Sequence, residues 1–125
     1  MLDVNVLVAL AWPSHVHHRL AQEWFARVQG AGFRTCPITQ AGFVRVTSNR
    51  SFSAEAVTVG AALALLDEIT DLAGHEFWPD DLSLREALGA AAVVGHQQIT
   101  DAYLVGLAEK NGGVVATLDR GVLGV

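Results

Sequence analysis

The chain has 125 residues, 51% of them hydrophobic and 17% charged, which suffices for one domain with its own core; at that length a fold buries roughly two thirds of its unfolded surface without disulfides or structural metal. No stretch reaches the roughly 18 uninterrupted apolar residues of a membrane span, and the single cysteine, Cys36, excludes an internal disulfide and a cysteine-only zinc site. Thirteen acidic against eight basic residues give a formal charge of −5, which argues against a polyanionic partner unless carboxylates gathered around divalent cations invert the local field.

The N-terminus shows no basic segment followed by an apolar one, so the cytoplasm is the expected location. Without repeats, low-complexity tracts or a Ser/Gly linker, residues 1–125 are expected to form a single domain. "MLDV" reads as a short strand, although Asp3 and Asn5 interrupt a run in which Leu2, Val4, Val6, Leu7 and Val8 read as interior. "SHVHHRLAQEWFARVQG" carries Val16, Leu20, Trp24, Phe25 and Val28 as a helical stripe, with Ser14 as N-cap and Gly30 as stop. "GFRTC" is a second strand, with Cys36 expected as a small buried hydrophobe. Pro37 suits the first turn of a helix through "ITQAGFVRVTSN" that ends near Asn49.

A third helix is predicted from Ser53 through "SAEAVTVGAALALLDEITDL", with Val57, Ala61, Leu65 and Ile69 on one face. "HEFW" before Pro79 is the next strand, and "SLRE" has capping-box spacing that opens a helix through Val94. "TDAYLVGLAEKNGG" reads as a helix with Thr100 at or near its N-cap and Gly112 as stop, followed by a short buried strand "VVAT" that delivers Asp119. Alternating β and α elements predict an α/β fold, a parallel sheet covered by helices, with ligands gathering at the carboxyl ends of the strands. Asp3 and Asp119 would both lie at that end.

An ionised carboxylate within an apolar segment is costly unless hydrogen-bonded, paired or metal-bound, which singles out Asp3 over a surface or capping role. Asp119 alone reads as a turn aspartate, and Asp101 as a first-turn helix acid favoured by the macrodipole; together with Asp3 they suggest a site. Asp67, Glu68, Asp71, Glu23, Glu55, Glu86 and Glu109 read as solvated surface, and Asp80 and Asp81 as loop chemistry. His15, His17 and His18 lack a second ligand set at zinc-like spacing and read as a solvated first turn.

The ordered segments "LDVNVL", "ITQAGFVRV", "TDAYLVGLA" and "VVATLDRG" resemble the PIN domain, in particular VapC-type toxins of bacterial toxin–antitoxin pairs, over nearly the whole chain. The resemblance implies a three-layer α/β/α domain and a metal-dependent ribonuclease held inactive by a cognate VapB-like antitoxin. By position it implies that Asp3, Asp101 and Asp119 are the catalytic, metal-holding acids, that Asn5 supports the first acid, and that Thr117 lines the pocket. Gln40 stands where the family most often has glutamate; its carbonyl can orient a metal-bound water but brings no charge, and weaker metal binding follows. Only two residues precede Asp3 and six follow Asp119, where relatives usually have a further short strand; a trimmed chain would explain both.

On this reading one or two Mg²⁺ or Mn²⁺ ions serve phosphodiester hydrolysis of RNA to a 5′-phosphate product, with Arg45, Arg50 and Arg120 as candidates for holding backbone phosphates or for structural and antitoxin-facing salt bridges. The rival is a PIN scaffold, impaired by Gln40, that binds RNA or antitoxin without cutting. An aspartyl-phosphate phosphatase is disfavoured: Asn5 occupies its second acidic position, and the only lysine, Lys110, falls at a helix C-terminus. A homodimer is implied by the resemblance, with "AQEWF" and Leu63, Leu65 and Leu66 offering apolar surface, most of which the sequence assigns to the core.

Overall fold

Extended backbone runs through four short stretches, and the hydrogen bonds between them build one parallel layer. The structure, a computed structural model, describes residues 1–89 and 95–118. Strand β1 (Phe33–Thr35) pairs in parallel with β2 (His75–Phe77), Phe33 opposite His75 and Thr35 opposite Phe77. On the other side of β1, the Leu2 N–H donates to the Arg34 carbonyl at 2.9 Å. Residues 1–3 also meet residues 114–116: the Ala116 N–H donates to the Met1 carbonyl at 2.8 Å and the Asp3 N–H to the Ala116 carbonyl at 2.9 Å.

The row therefore reads 114–116, 1–3, β1, β2. The chain steps outward from residues 1–3 to β1 and β2, then returns to the far side of residues 1–3, so the order reverses there. Asp3 stands at the carboxyl end of the segment at this switch point, where open α/β sheets bind their ligands. The expected parallel sheet flanked by helices is present, but "MLDV" and "VVAT" are not full strands. Only Leu2 and Ala116 form a bridge between them, and helix begins at Val4.

That helix, α1 (Val4–Ala11), is absent from the sequence expectation. Val6, Leu7, Val8 and Ala9 are all buried, so the segment is apolar all round and shows no amphipathic stripe. Asp3 caps it in extended conformation, Oδ1 accepting from the Val4 N–H at 2.8 Å. The following helix, α2 (His18–Val28), starts later than read: Ser14 is not its cap but donates to the Glu55 carboxylate, and His17 precedes the helix without a side-chain cap.

Helix α3 (Pro37–Thr47) opens with Pro37 in its first turn as read and ends just short of Asn49. The Thr47 and Ser48 hydroxyls there donate to the Phe43 and Val44 carbonyls at 2.8 and 2.6 Å. Helix α4 (Val59–Thr70) begins at Val59, not Ser53, because Thr58 accepts from the Ala61 N–H at 3.1 Å, whereas the Ser53 hydroxyl turns to the Glu55 N–H at 3.0 Å. Ser83 caps α5 (Leu84–Leu88) as expected, but the helix stops at Leu88, where Gly89 takes φ 51°, instead of running unbroken to Val94; residues 90–94 lie outside the described residues. Helix α6 (Ile99–Lys110) is capped at Gln98, two residues before Thr100, and is followed by Gly112 at φ 73°, the left-handed conformation that suits its predicted stop.

Side-chain alternation across the sheet divides the core in two. Leu2 and Phe33 join Val6, Leu7, Phe25, Phe43, Leu66 and Ile69 on the face covered by α1–α4. Met1 joins Cys36, Trp78, Tyr103, Leu104 and Leu107 on the opposite face, with Ala87 and Leu88 of α5 packed against them. The fold is thus three-layered, α1–α4 over the sheet and α5–α6 beneath it. No helix among the described residues is long and apolar enough to cross a membrane.

The closest helix contact on the second face sits at Gly106, where an added Cβ would lie 2.6 Å from the Ala87 carbonyl oxygen and 2.9 Å from its Cα. Gly60, in the first turn of α4, has nothing within 4 Å. Gly106→Ala is expected to destabilise by about 1–3 kcal/mol because backbone must move, and Gly60→Ala to stabilise by about 0.5–1 kcal/mol through lost unfolded-state entropy. Urea unfolding of the two variants beside the parent reads both signs.

Candidate functional site

Asp3 is only 8% exposed, and hydrogen bonds from two donors fix its carboxylate. Oδ1 takes the Val4 N–H at 2.8 Å and Oδ2 takes the Thr117 hydroxyl at 2.9 Å. The Thr117 hydroxyl in turn accepts from Asn5 Nδ2 at 3.2 Å, and Asn5 Oδ1 accepts from the Leu118 N–H at 3.1 Å. Three side chains from the two ends of the chain therefore form one network at the carboxyl end of the sheet. Among the described residues Asp3 makes no ion pair, so the buried charge is held by neutral donors and lacks a protein cation.

Asp101 lies half-buried in the first turn of α6. Residues 111–113 join that helix directly to residues 114–116, the segment that pairs with residues 1–3. Helices α1 and α3 start where residues 1–3 and β1 finish. Two helix N-termini thus share one end, a field that favours anions. Asp119 and Arg120 lie outside the described residues, among which no three His, Cys, Asp or Glu groups converge on a metal position. The donors present at this end, carboxylate, hydroxyl and amide oxygens, are of the hard kind that suits Mg²⁺ or Mn²⁺.

Gln40 has partners that the sequence reading did not supply. Its Nε2 donates to the Thr35 hydroxyl at 3.0 Å, and that hydroxyl lies 2.7 Å from His75 Nε2. Thr35 is fully buried. Burial first, then the neighbouring Arg34 guanidinium, push the His75 imidazole below its usual range against opposite pulls from Asp71 and Glu76. Neither Thr35 nor His75 was singled out as functional, because "FRTC" and "HEFW" carry only strand signals and their meeting depends on parallel pairing.

Arg45 is exposed and lines, with Gln40, Pro37, Val44 and Leu63, a groove of about 540 Å³ between α3 and α4. Arg50 is exposed beside Asn49 and Thr58 in a separate polar pocket. Arg34, by contrast, is structural: it stacks on Trp78 at 5.9 Å and reaches Glu76 at 3.4 Å. His15 and His17 sit on the turn before α2 with ring centroids 5.8 Å apart, and His18 Nδ1 lies 2.7 Å from the Ala9 carbonyl. Of the apolar residues offered for a second copy, Phe25 and Leu66 are buried while Leu63 is 48% exposed.

The model of the PIN domain matches residues 1–123. Ribonuclease VapC39 of Mycobacterium tuberculosis is 49% identical over 123 residues, which span 95% of this chain and 87% of that protein. Ribonuclease VapC38 of the same organism is 43% identical across 98% of this chain and 86% of its own length, and Ribonuclease VapC44 is 36% identical across 98% and 87%. With a parallel layer between two helical layers and a buried aspartate at its switch point, the chain belongs to the PIN domain family.

Proposed function

We propose that this protein is a metal-dependent ribonuclease toxin of the VapC type, cutting RNA at the carboxyl end of the sheet and restrained by a cognate VapB-like antitoxin. The observation that carries the reading is the Asp3 carboxylate, buried, oriented by Val4 and Thr117, and without a cationic partner among the described residues. A buried charge so arranged is costly unless a cation completes it. The relatives named as ribonucleases support the reaction class.

Asp3, Asp101 and Asp119 would hold Mg²⁺ or Mn²⁺. Such an ion supplies an activated water and neutralises charge on the leaving oxygen. Asp3 contributes an oxygen set in place before any ligand arrives, because both carboxylate oxygens already have a donor. Asn5 holds the Thr117 hydroxyl, keeping its proton on Asp3. The N-termini of α1 and α3 favour the phosphate that must approach a protein of net charge −5. Arg45 and Arg50, both exposed, hold flanking phosphates, and Arg120 follows Asp119 directly in sequence. Gln40 adds an oxygen donor without charge, so the site binds its ion less tightly than one with glutamate there. Leu63, exposed on α4, offers apolar surface to a second copy in a homodimer.

Thermal unfolding tests the cation requirement apart from catalysis. Mn²⁺ is expected to raise the parent's Tm in a concentration-dependent way and to leave Asp3→Asn unmoved, while Gln40→Glu responds at lower Mn²⁺; an equal response in parent and Asp3→Asn would remove Asp3 from the site.

Cleavage of a mixed RNA pool tests the reaction. Activity is expected with Mg²⁺ or Mn²⁺ and not with EDTA, and Asp3→Asn or Asp101→Asn should lower it by at least about 100-fold, roughly 2.7 kcal/mol of transition-state stabilisation. Cleavage that persists in EDTA, or in both variants, would overturn the proposal.

A further inference from the structure

The segment from Gln40 to His75 crosses from α3 to the edge of the sheet through one hydroxyl. Gln40 Nε2 lies 3.0 Å from Thr35 Oγ1, and the same oxygen lies 2.7 Å from His75 Nε2. Thr35 has no solvent exposure, so its hydroxyl must find its partners within the protein. A threonine hydroxyl has one proton to give. With the Gln40 amide N–H pointing at it and His75 Nε2 its one other partner among the described residues, that proton goes to His75 when Nε2 is the unprotonated nitrogen of a neutral ring. The opposite polarity is equally self-consistent: an Nε2–H histidine donates to Thr35, and Thr35 donates to an oxygen at position 40. Whichever nitrogen of His75 holds the proton therefore determines which end of the Gln40 amide is tied down.

We propose that His75 is a positioning residue for Gln40, acting through the Thr35 hydroxyl to hold the amide nitrogen and leave the carbonyl oxygen as the group α3 offers to the carboxyl end of the sheet. The functional part of this inference rests on the ribonuclease reading; the relay does not. It gives an amide at this position a defined polarity, which a glutamine standing where relatives most often carry glutamate otherwise lacks. The environment of His75 favours a neutral ring, which either tautomer satisfies, and the contact of Gln40 Nε2 with Thr35 is what selects the Nδ1–H form. Burial and Arg34 on β1 act against its protonation, while Asp71 at the end of α4 and Glu76 on β2 act for it more weakly. His75 also packs at a tilt of 55° against Phe33, with ring centroids 5.3 Å apart, which restricts the ring plane.

The polarity is readable by nitrogen NMR of the histidine ring and by exchange of the Gln40 side-chain amide protons. The parent is expected to show neutral His75 as the Nδ1–H tautomer and one slowly exchanging Gln40 amide proton. Thr35→Ser should retain both signatures, while Thr35→Val should lose the amide protection. Gln40→Glu, at a half-buried position that tolerates the change, presents only acceptor oxygens; it should convert His75 to the Nε2–H tautomer and raise its pKa. If the tautomer and the pKa of His75 are the same in parent and Gln40→Glu, the relay is overturned, whether or not any RNA is cut.

The positioning role is read by Mn²⁺-dependent cleavage. His75→Leu and Thr35→Val are each expected to lower kcat about tenfold, within the range of losses when the support of a metal site is removed, with KM little changed and Thr35→Ser restoring the rate. Unchanged kcat in both variants, with the NMR signatures of the parent intact, would overturn positioning. Absence of cleavage by the parent itself, with those signatures present, would count against the ribonuclease reading and leave the relay standing.

Discussion

Residues 1–3 are hydrogen-bonded on both flanks, to Arg34 on one side and to residues 114–116 on the other, and the architecture depends on that double pairing. A central parallel segment must satisfy its backbone on both edges and bury side chains on both faces. Met1 and Leu2 do the latter by entering opposite cores. The same pairing brings Thr117, at the far end of the chain, within 2.9 Å of Asp3. The site and the sheet thus share one cause: without residues 114–116 in register, Asp3 would lose the donor that orients its second oxygen.

Asp3 combines two electrostatic roles that are separable in principle. As an N-cap it meets the Val4 N–H and the positive end of α1, a modest contribution that serine or asparagine would also make. Neither of those residues would place a negative charge at 8% exposure beside a neutral hydroxyl. Helix capping explains why a polar residue interrupts the apolar run, but it does not explain why that residue is charged and nearly excluded from water. The cation of the proposed function would account for the charge. Gln40 lies on the other side of this logic: it adds no charge, and its amide nitrogen meets the buried Thr35 hydroxyl, which also contacts His75.

Much of the fold is legible in the sequence. Pro37, Ser83 and Gly112 mark helix limits through local backbone chemistry, and the structure places α3, α5 and the end of α6 by them. Errors occur where local signals compete. Ser14 and Ser53 both resemble N-caps, but one hydroxyl is taken by Glu55 and the other closes a turn with the Glu55 N–H. α1 escaped notice because burial on all sides erases helical periodicity, and its valines suggest a strand; tertiary packing overrides that weak preference. Asp3 was legible because a carboxylate in apolar surroundings demands an explanation, whereas Thr35 and His75 carry no such mark.

The sequence by itself determined the alternation of elements, the family and the presence of an out-of-place carboxylate at position 3, because these follow from residue type and spacing along one chain. Tertiary structure alone decided the partners of that carboxylate. Thr117 is 114 positions from Asp3 and His75 is 40 from Thr35, and nothing local specifies either meeting. Parallel pairing connects strands only through long crossovers, so the side chains that converge at one end of such a sheet are necessarily distant in sequence.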